Sequence, residues 1–266
     1  MANDAPQDPT SSTVATAKDA VELRFFPDEG NALDGGGTGH VYVMQASALL
    51  FKAAARGGPR VEHGNPDGHT AGQTSPGDYV LGSREHHVTS AWPYSTIPQG
   101  ALLKEKDGQV LWSPDDGVTW RPASGRDSVT WASWADWKSK ILGRALTPDD
   151  KASVDRDVRR AFNDESGGLL PRWLKNDFGL WAWRLWTADA AGNRLAPTAF
   201  FVHTTPENER ATDDGKPVSL SESHGCIHLR PADRALLMTR GWLRAGASFR
   251  VFRYGMVGPG TIDPFA

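Results

Sequence analysis

Ser223-His224-Gly225-Cys226-Ile227-His228-Leu229 is the most informative stretch of this chain. It carries the only cysteine in 266 residues and two of the eight histidines. A free thiol has a pKa of about 8.5, so only a few per cent is thiolate at neutral pH. Nucleophilic use of Cys226 therefore needs a neighbour to take its proton, and imidazole titrates in the right range. His224 and His228 each lie two positions from the cysteine. On an extended chain such residues share a face, but on a tight turn through Gly225 they need not. With no Cβ, Gly225 allows a strained turn. It also lets a substrate carbonyl approach the backbone N–H groups of Gly225 and Cys226.

The third candidate imidazole lies upstream. Ala196-Pro-Thr-Ala-Phe-Phe-Val-His203 reads as a buried strand that ends in a polar residue. Catalytic partners often come from distant segments that meet in the fold, so His203 qualifies as a base. Residues 204–222 between it and the cysteine read as a polar loop. Beyond the cysteine, Pro231 opens a helix to about Arg240, and Gly246 to Phe252 reads as a closing strand.

Further upstream, His40 to Gln45 is apolar and strand-like. Leu49, Leu50 and Phe51 continue as a paired strand or as the start of an Ala-rich helix. Residues 57–78, rich in Gly, Pro, His and Asp, read as loop. Pro76-Gly77 is a turn signal, after which Tyr79, Val80 and Leu81 resume a strand. Residues 83–135 look like short β segments, with turns at Pro114 to Gly117 and at Ser124-Gly125. Thr147 or Asp149 caps a helix running to about Phe162, with Ala152, Val154, Val158, Ala161 and Phe162 at helical spacing. In 166–186 the first half reads as a short helix, and Trp181 to Trp186 as a strand.

The pair Phe201-Val-His-Thr-Thr-Pro206 and Ser223-His-Gly-Cys-Ile-His-Leu229 resembles the signature of the L,D-transpeptidase (YkuD-type) family. Thr74-Ser-Pro-Gly-Asp-Tyr-Val resembles that family's upstream segment. The likeness spans about 38–254 and is strong over 70–82 and 198–254. It implies a mainly β fold with helices, a sandwich-like α+β catalytic domain. Residues 85–195 form a large Trp-rich insertion or lid that holds most of the chain's 11 tryptophans. Residues 1–20 read as a flexible tail and 255–266 as a C-terminal extension.

The resemblance also implies roles. Cys226 attacks the carbonyl of the third stem-peptide residue of peptidoglycan, releases the terminal D-alanine and forms a thioester. His203 is the base, oriented by the Thr204 carbonyl. His224 and the N–H groups of Gly225 and Cys226 surround the oxyanion, and Ser223 supports the turn. His228 replaces the arginine or asparagine usual there, which bears on substrate grip. An amine then resolves the thioester into a cross-link, or water resolves it as a carboxypeptidase or endopeptidase would. No metal or organic cofactor is expected.

The bulk numbers fit such a protein. Hydrophobic residues make up 39%, charged residues 23%, and the net charge is −3. That gives no reason to expect nucleic acid or an anionic membrane as partner. No apolar run of membrane-spanning length occurs. Residues 1–20 lack the basic start and apolar run of a secretory signal. Peptidoglycan chemistry nevertheless places the protein in the periplasm or outside. One alternative is an antibacterial effector exported by a secretion machine and countered by an immunity protein.

Other readings compete. His224, Cys226, His228 and His203 could ligate zinc, although Gly225 argues for a turn and no familiar zinc spacing occurs. A wall-binding module without activity could retain the fold. Most tryptophans read as packing. His40 reads as structural, and His63, His69, His86 and His87 as solvated.

Overall fold

The structure, a computed structural model, describes residues 20–28, 39–64 and 69–260. All but Ala20 of the expected tail, and 261–266 of the expected C-terminal extension, lie outside the described residues. In chain order the elements begin with β1 (Val21–Phe26), β2 (Gly39–Gln45), β3 (Ala48–Arg56), β4 (His63–Gly64), β5 (Thr70–Ala71) and β6 (Gly77–Glu85). There follow β7 (Leu103–Lys106), β8 (Gln109–Trp112), β9 (Arg121–Pro122), α1 (Val129–Leu142) and α2 (Pro148–Ala161). The chain then forms β10 (Ala182–Ala188), β11 (Arg194–His203), α3 (Pro206–Asp213), β12 (Ile227–Leu229), α4 (Pro231–Thr239) and β13 (Ser248–Val251). Strands outweigh helices, as the α+β reading expects.

Eight strands close into a barrel in the order β1-β13-β6-β10-β11-β12-β3-β2. The expectation of a sandwich is replaced by this closed sheet. Two parallel pairings complete it, β1 with β13 and β11 with β12. Alternation along each strand sends one set of side chains inward. Leu23 and Phe25, Val41 and Val43, Ala53 and Ala55, Tyr79 and Leu81, Trp183 and Leu185 meet there. Val202, Ile227, Leu229, Phe249 and Val251 complete this core. Each large side chain so buried contributes about 1.5–3 kcal/mol.

A second core fills the segment between β6 and β10. Ile97, Leu103, Ala123, Trp134, Val154, Val158, Phe162 and Trp173 pack together there. Leu103 comes from β7, Trp134 from α1, and Val154 and Val158 from α2, while Ile97, Ala123, Phe162 and Trp173 come from the connections between elements. This lobe is shorter than the expected 85–195 insertion, because 182–188 and 194–195 belong to barrel strands. Asn176 ties the two ends of this segment together, its Nδ2 donating to the carbonyls of His87 and Ile97 at 2.9 Å. Ser95 Oγ donates to Asp177 at 2.6 Å beside it.

Several local expectations change. Residues 129–135, read as β, open α1, which Ser128 caps and Gly143 ends at φ 62°. The short helix expected after 166 is absent; the segment makes isolated bridges, Asn163 to Leu169 and Leu102 to Arg172. The loop 204–222 contains α3, started by the Thr205 cap and Pro206. The loop 57–78 contains the two-residue pair β4–β5, and the Ala-rich segment after Leu50 is strand. The helices expected at 147–162 and 231–240 form as α2 and α4. Thr147 and Asp150 close a capping box at α2. Among the described residues no helix is long and apolar enough to cross a membrane.

Candidate active site

Strand register brings the expected residues together. In the parallel β11–β12 pair, Val202 lies beside Ile227 and His203 beside His228. Val202 and Ile227 point into the barrel core. Alternation therefore turns His203 and His228 outward, with Cys226 on the same face one step earlier. The His203 and His228 rings meet edge to face, with centroids 4.7 Å apart. Cys226 packs on the Phe178, Ala182 and Phe201 cluster.

This outer face is one wall of a cleft of about 500 Å3. Cys226, His203, His228, His224 and Ser223 line it. The lobe forms the opposite wall with Trp92, Tyr94, Trp134 and Trp137. These aromatics support one another, Tyr94 edge-on to Trp134 at 5.1 Å and Trp134 edge-on to Trp137 at 5.5 Å. His224 meets Trp92 at 4.7 Å.

The His203 ring is held in one orientation. His203 Nδ1 lies 2.6 Å from the Thr204 carbonyl. A carbonyl only accepts, so the neutral ring carries its proton on Nδ1 and leaves a lone pair on Nε2. Burial, then the neighbouring His228, holds the His203 pKa well below its usual value. The Thr204 bond opposes this and His87 adds to it. His228 is fixed in the same way, with Nδ1 3.0 Å from the Ser221 carbonyl. Burial pushes its pKa down to about 4. Both rings are therefore neutral at pH 7.

Cys226 is partly buried and lines the cleft. The protein packed beneath it pushes its pKa up to about 12. Its acceptor is the Ala199 carbonyl at 4.0 Å. Among the described residues no hydrogen bond joins Sγ to His203. The resting pair is thus a neutral thiol and a neutral imidazole, not a preformed ion pair. Such contacts commonly tighten only once substrate is seated.

Gly225 shapes the turn. Its φ is 113°, and a Cβ would fall 2.5 Å from the Phe200 ring. Its amide donates to Ser223 Oγ at 3.0 Å, and that hydroxyl donates to the Cys226 carbonyl at 2.5 Å. One of the two expected oxyanion donors is therefore already committed, and Ser223 holds the turn as expected. The Cys226 amide and the His224 ring are the other donors expected at this end of the cleft.

The Thr74 segment lies behind the turn. Ser223 N donates to the Gly57 carbonyl at 3.2 Å, and Gly58 N to Thr74 Oγ1 at 3.0 Å. Tyr254 joins the two, donating to the Gly58 carbonyl at 2.9 Å and accepting from Thr74 N at 3.1 Å. A side chain at Gly58 would strike the Gly72 carbonyl, so only glycine lets these two loop segments approach.

The histidines read as solvated have partners. His87 is half-buried against Phe178 and Phe201, with Nδ1 2.8 Å from Glu85. His69 stacks on Trp92 at 4.0 Å and His86 on Trp181 at 3.8 Å. His63 lies 2.7 Å from Glu222. Trp92, Tyr94, Trp134 and Trp137 were not among the expected site residues, and nor were Glu209 and Arg234 behind Thr204. The wide spacing of the aromatics gave no signal, and Glu209 looks like one charge in a polar helix.

Among the described residues no group of three or more His, Cys, Asp or Glu side chains is arranged to hold a metal ion. Nδ1 of both His203 and His228 is engaged by a carbonyl, which leaves Nε2 as the ring nitrogen for any ligand. Comparison with protein-family models, curated proteins and solved structures found no match to this chain.

Proposed function

We propose that this chain is a cysteine acyltransferase of the L,D-transpeptidase kind, acting on peptidoglycan tetrapeptide stems through a thioester. One observation carries the reading: Cys226 and the carbonyl-anchored His203 line one cleft that is open to ligand and walled by aromatic side chains.

In the first step the Cys226 proton passes to Nε2 of His203, and sulfur attacks the carbonyl carbon of the third stem residue. The oxyanion draws on the Cys226 amide and His224. The bond to D-alanine breaks, and the imidazolium returns its proton to the departing amine. In the second step His203 takes a proton from an incoming amine or water as it attacks the thioester. Sulfur leaves and is reprotonated. An amine acceptor yields a cross-link or an exchanged residue, and water yields a shortened stem. His228 stays neutral and meets the substrate as a hydrogen-bonding group, without the charge of an arginine.

The test is mass spectrometry of muropeptides after incubation with wild type and with Cys226→Ala. The proposal expects loss of D-alanine from tetrapeptides, with new cross-links or tripeptides, in the wild type alone. Unchanged muropeptides with wild type, or equal products with both proteins, would overturn it.

A further inference from the structure

We infer that Glu209 is a positioning residue for the His203–Cys226 pair, joining the base, the helix after the nucleophile and the aromatic lobe through one carboxylate. The inference rests on the acyl-transfer reading above. Glu209 lies on α3 and accepts from Thr204 Oγ1 and, at 2.5 Å, from Arg234 Nη1. It also accepts from Gln99 Nε2 at 2.7 Å and from the Leu180 amide at 3.1 and 3.2 Å. Each donor comes from a different part of the fold. Thr204 supplies the carbonyl that fixes His203 Nδ1. Arg234 belongs to α4, which follows the nucleophile strand, and it donates to Thr204 Oγ1 as well, at 3.1 Å. Gln99 and Leu180 lie at the start and end of the lobe that carries the aromatic wall.

The arrangement is close-fitted. The Glu209 and Arg234 side chains are 13% and 12% exposed. Gly179 runs past at φ 61°, and a Cβ there would fall 2.6 Å from Thr204 Oγ1 and 2.8 Å from Glu209 Oε1. Buried charges are retained only when paired and hydrogen-bonded, and this pair is both. Because Arg234 neutralises it, Glu209 acts on His203 through geometry and not through charge. Small misplacements of a catalytic group slow reactions strongly, so a carboxylate that sets Thr204 sets the rate of proton transfer from Cys226.

The test follows alkylation of Cys226 in the full chain by iodoacetamide, a reagent small enough to need no peptide subsite. Rates are read by intact mass from pH 5 to 9 for wild type, His203→Ala, Glu209→Gln and Thr204→Val. The Thr204→Val variant cuts the link but leaves the Glu209–Arg234 pair whole, so it serves if Glu209→Gln fails to fold. Expected is a rate lowered roughly 10- to 100-fold in both, by the same factor at every pH. A factor that changes with pH would mean that Glu209 acts by charge and would overturn the inference. So would wild-type rates in both variants while His203→Ala is slow, which leaves the acyl-transfer reading standing. A wild-type rate in His203→Ala would overturn that reading and the inference with it.

Discussion

Acid should loosen this fold through His228, and the size of the effect follows from its surroundings. The ring is buried, with Nδ1 held by the Ser221 carbonyl. Burial, the largest cause, lowers its pKa from 6.5 to about 4, and the nearby His224 acts in the same direction. Between those values the unfolded chain binds a proton that the native state refuses. Stability is therefore full above about pH 6.5, falls as the pH drops, and levels off below about pH 4. A shift of this size corresponds to about 3 kcal/mol. With a urea dependence of about 3 kcal/mol/M, the unfolding midpoint should fall by about 1 M from pH 7 to pH 4 on this account alone. His203, lowered by the same kind of burial, adds to the loss. Asparagine at 228 offers an N–H to the Ser221 carbonyl and does not titrate. Urea unfolding followed by tryptophan fluorescence at pH 7, 5.5 and 4 should show His228→Asn losing about 1 M less than wild type. Carboxylates titrate alike in both proteins and cancel. Parallel pH curves for the two would refute the reasoning.

Two further outcomes follow from packing. Gly225→Ala adds a Cβ that meets the Phe200 ring and holds alanine at φ 113°; the backbone strain alone is about 1–3 kcal/mol. It should lower the melting temperature by roughly 5 °C and abolish thiol reactivity in the cleft, and a variant unchanged in scanning fluorimetry and alkylation would show the turn to be relaxed. Trp173→Ala removes a fully buried side chain from the lobe core and should cost about 3–5 kcal/mol. Calorimetry should then resolve a lobe transition below that of the barrel, and a single unshifted transition would contradict the two-core description.

The sequence discloses local features better than closure. The turn at Gly225, the strand ending at His203, the helix expected from a cap at Thr147 or Asp149 and the Pro-started helix at 231 all follow from local chemistry and appear in the structure. Strand β1 went unread, and so did its parallel pairing with β13, because a barrel seam joins residues over 220 positions apart that leave no local mark. Helix α1 was misread although Trp131, Trp134 and Trp137 recur every three residues; neighbouring turn signals outweighed that period. Helix α3 is polar along most of its length, so its only signals were the Thr205 cap and Pro206. Cys226 and His203 were evident from residue type and neighbours. Glu209 and the aromatic wall were not, since their positions relative to the thiol are set by tertiary packing.

The central claim is that the Cys226 sulfur takes up the stem peptide as a thioester. Intact-protein mass spectrometry after brief acid quenching of a reaction with purified disaccharide-tetrapeptide tests it most directly. The account predicts a mass increase equal to the substrate less D-alanine, mapped to the peptide containing Cys226, reversed by hydroxylamine and absent in Cys226→Ala. Free D-alanine appearing with no adduct on that peptide in the quenched wild type, or the same adduct in Cys226→Ala, would contradict it.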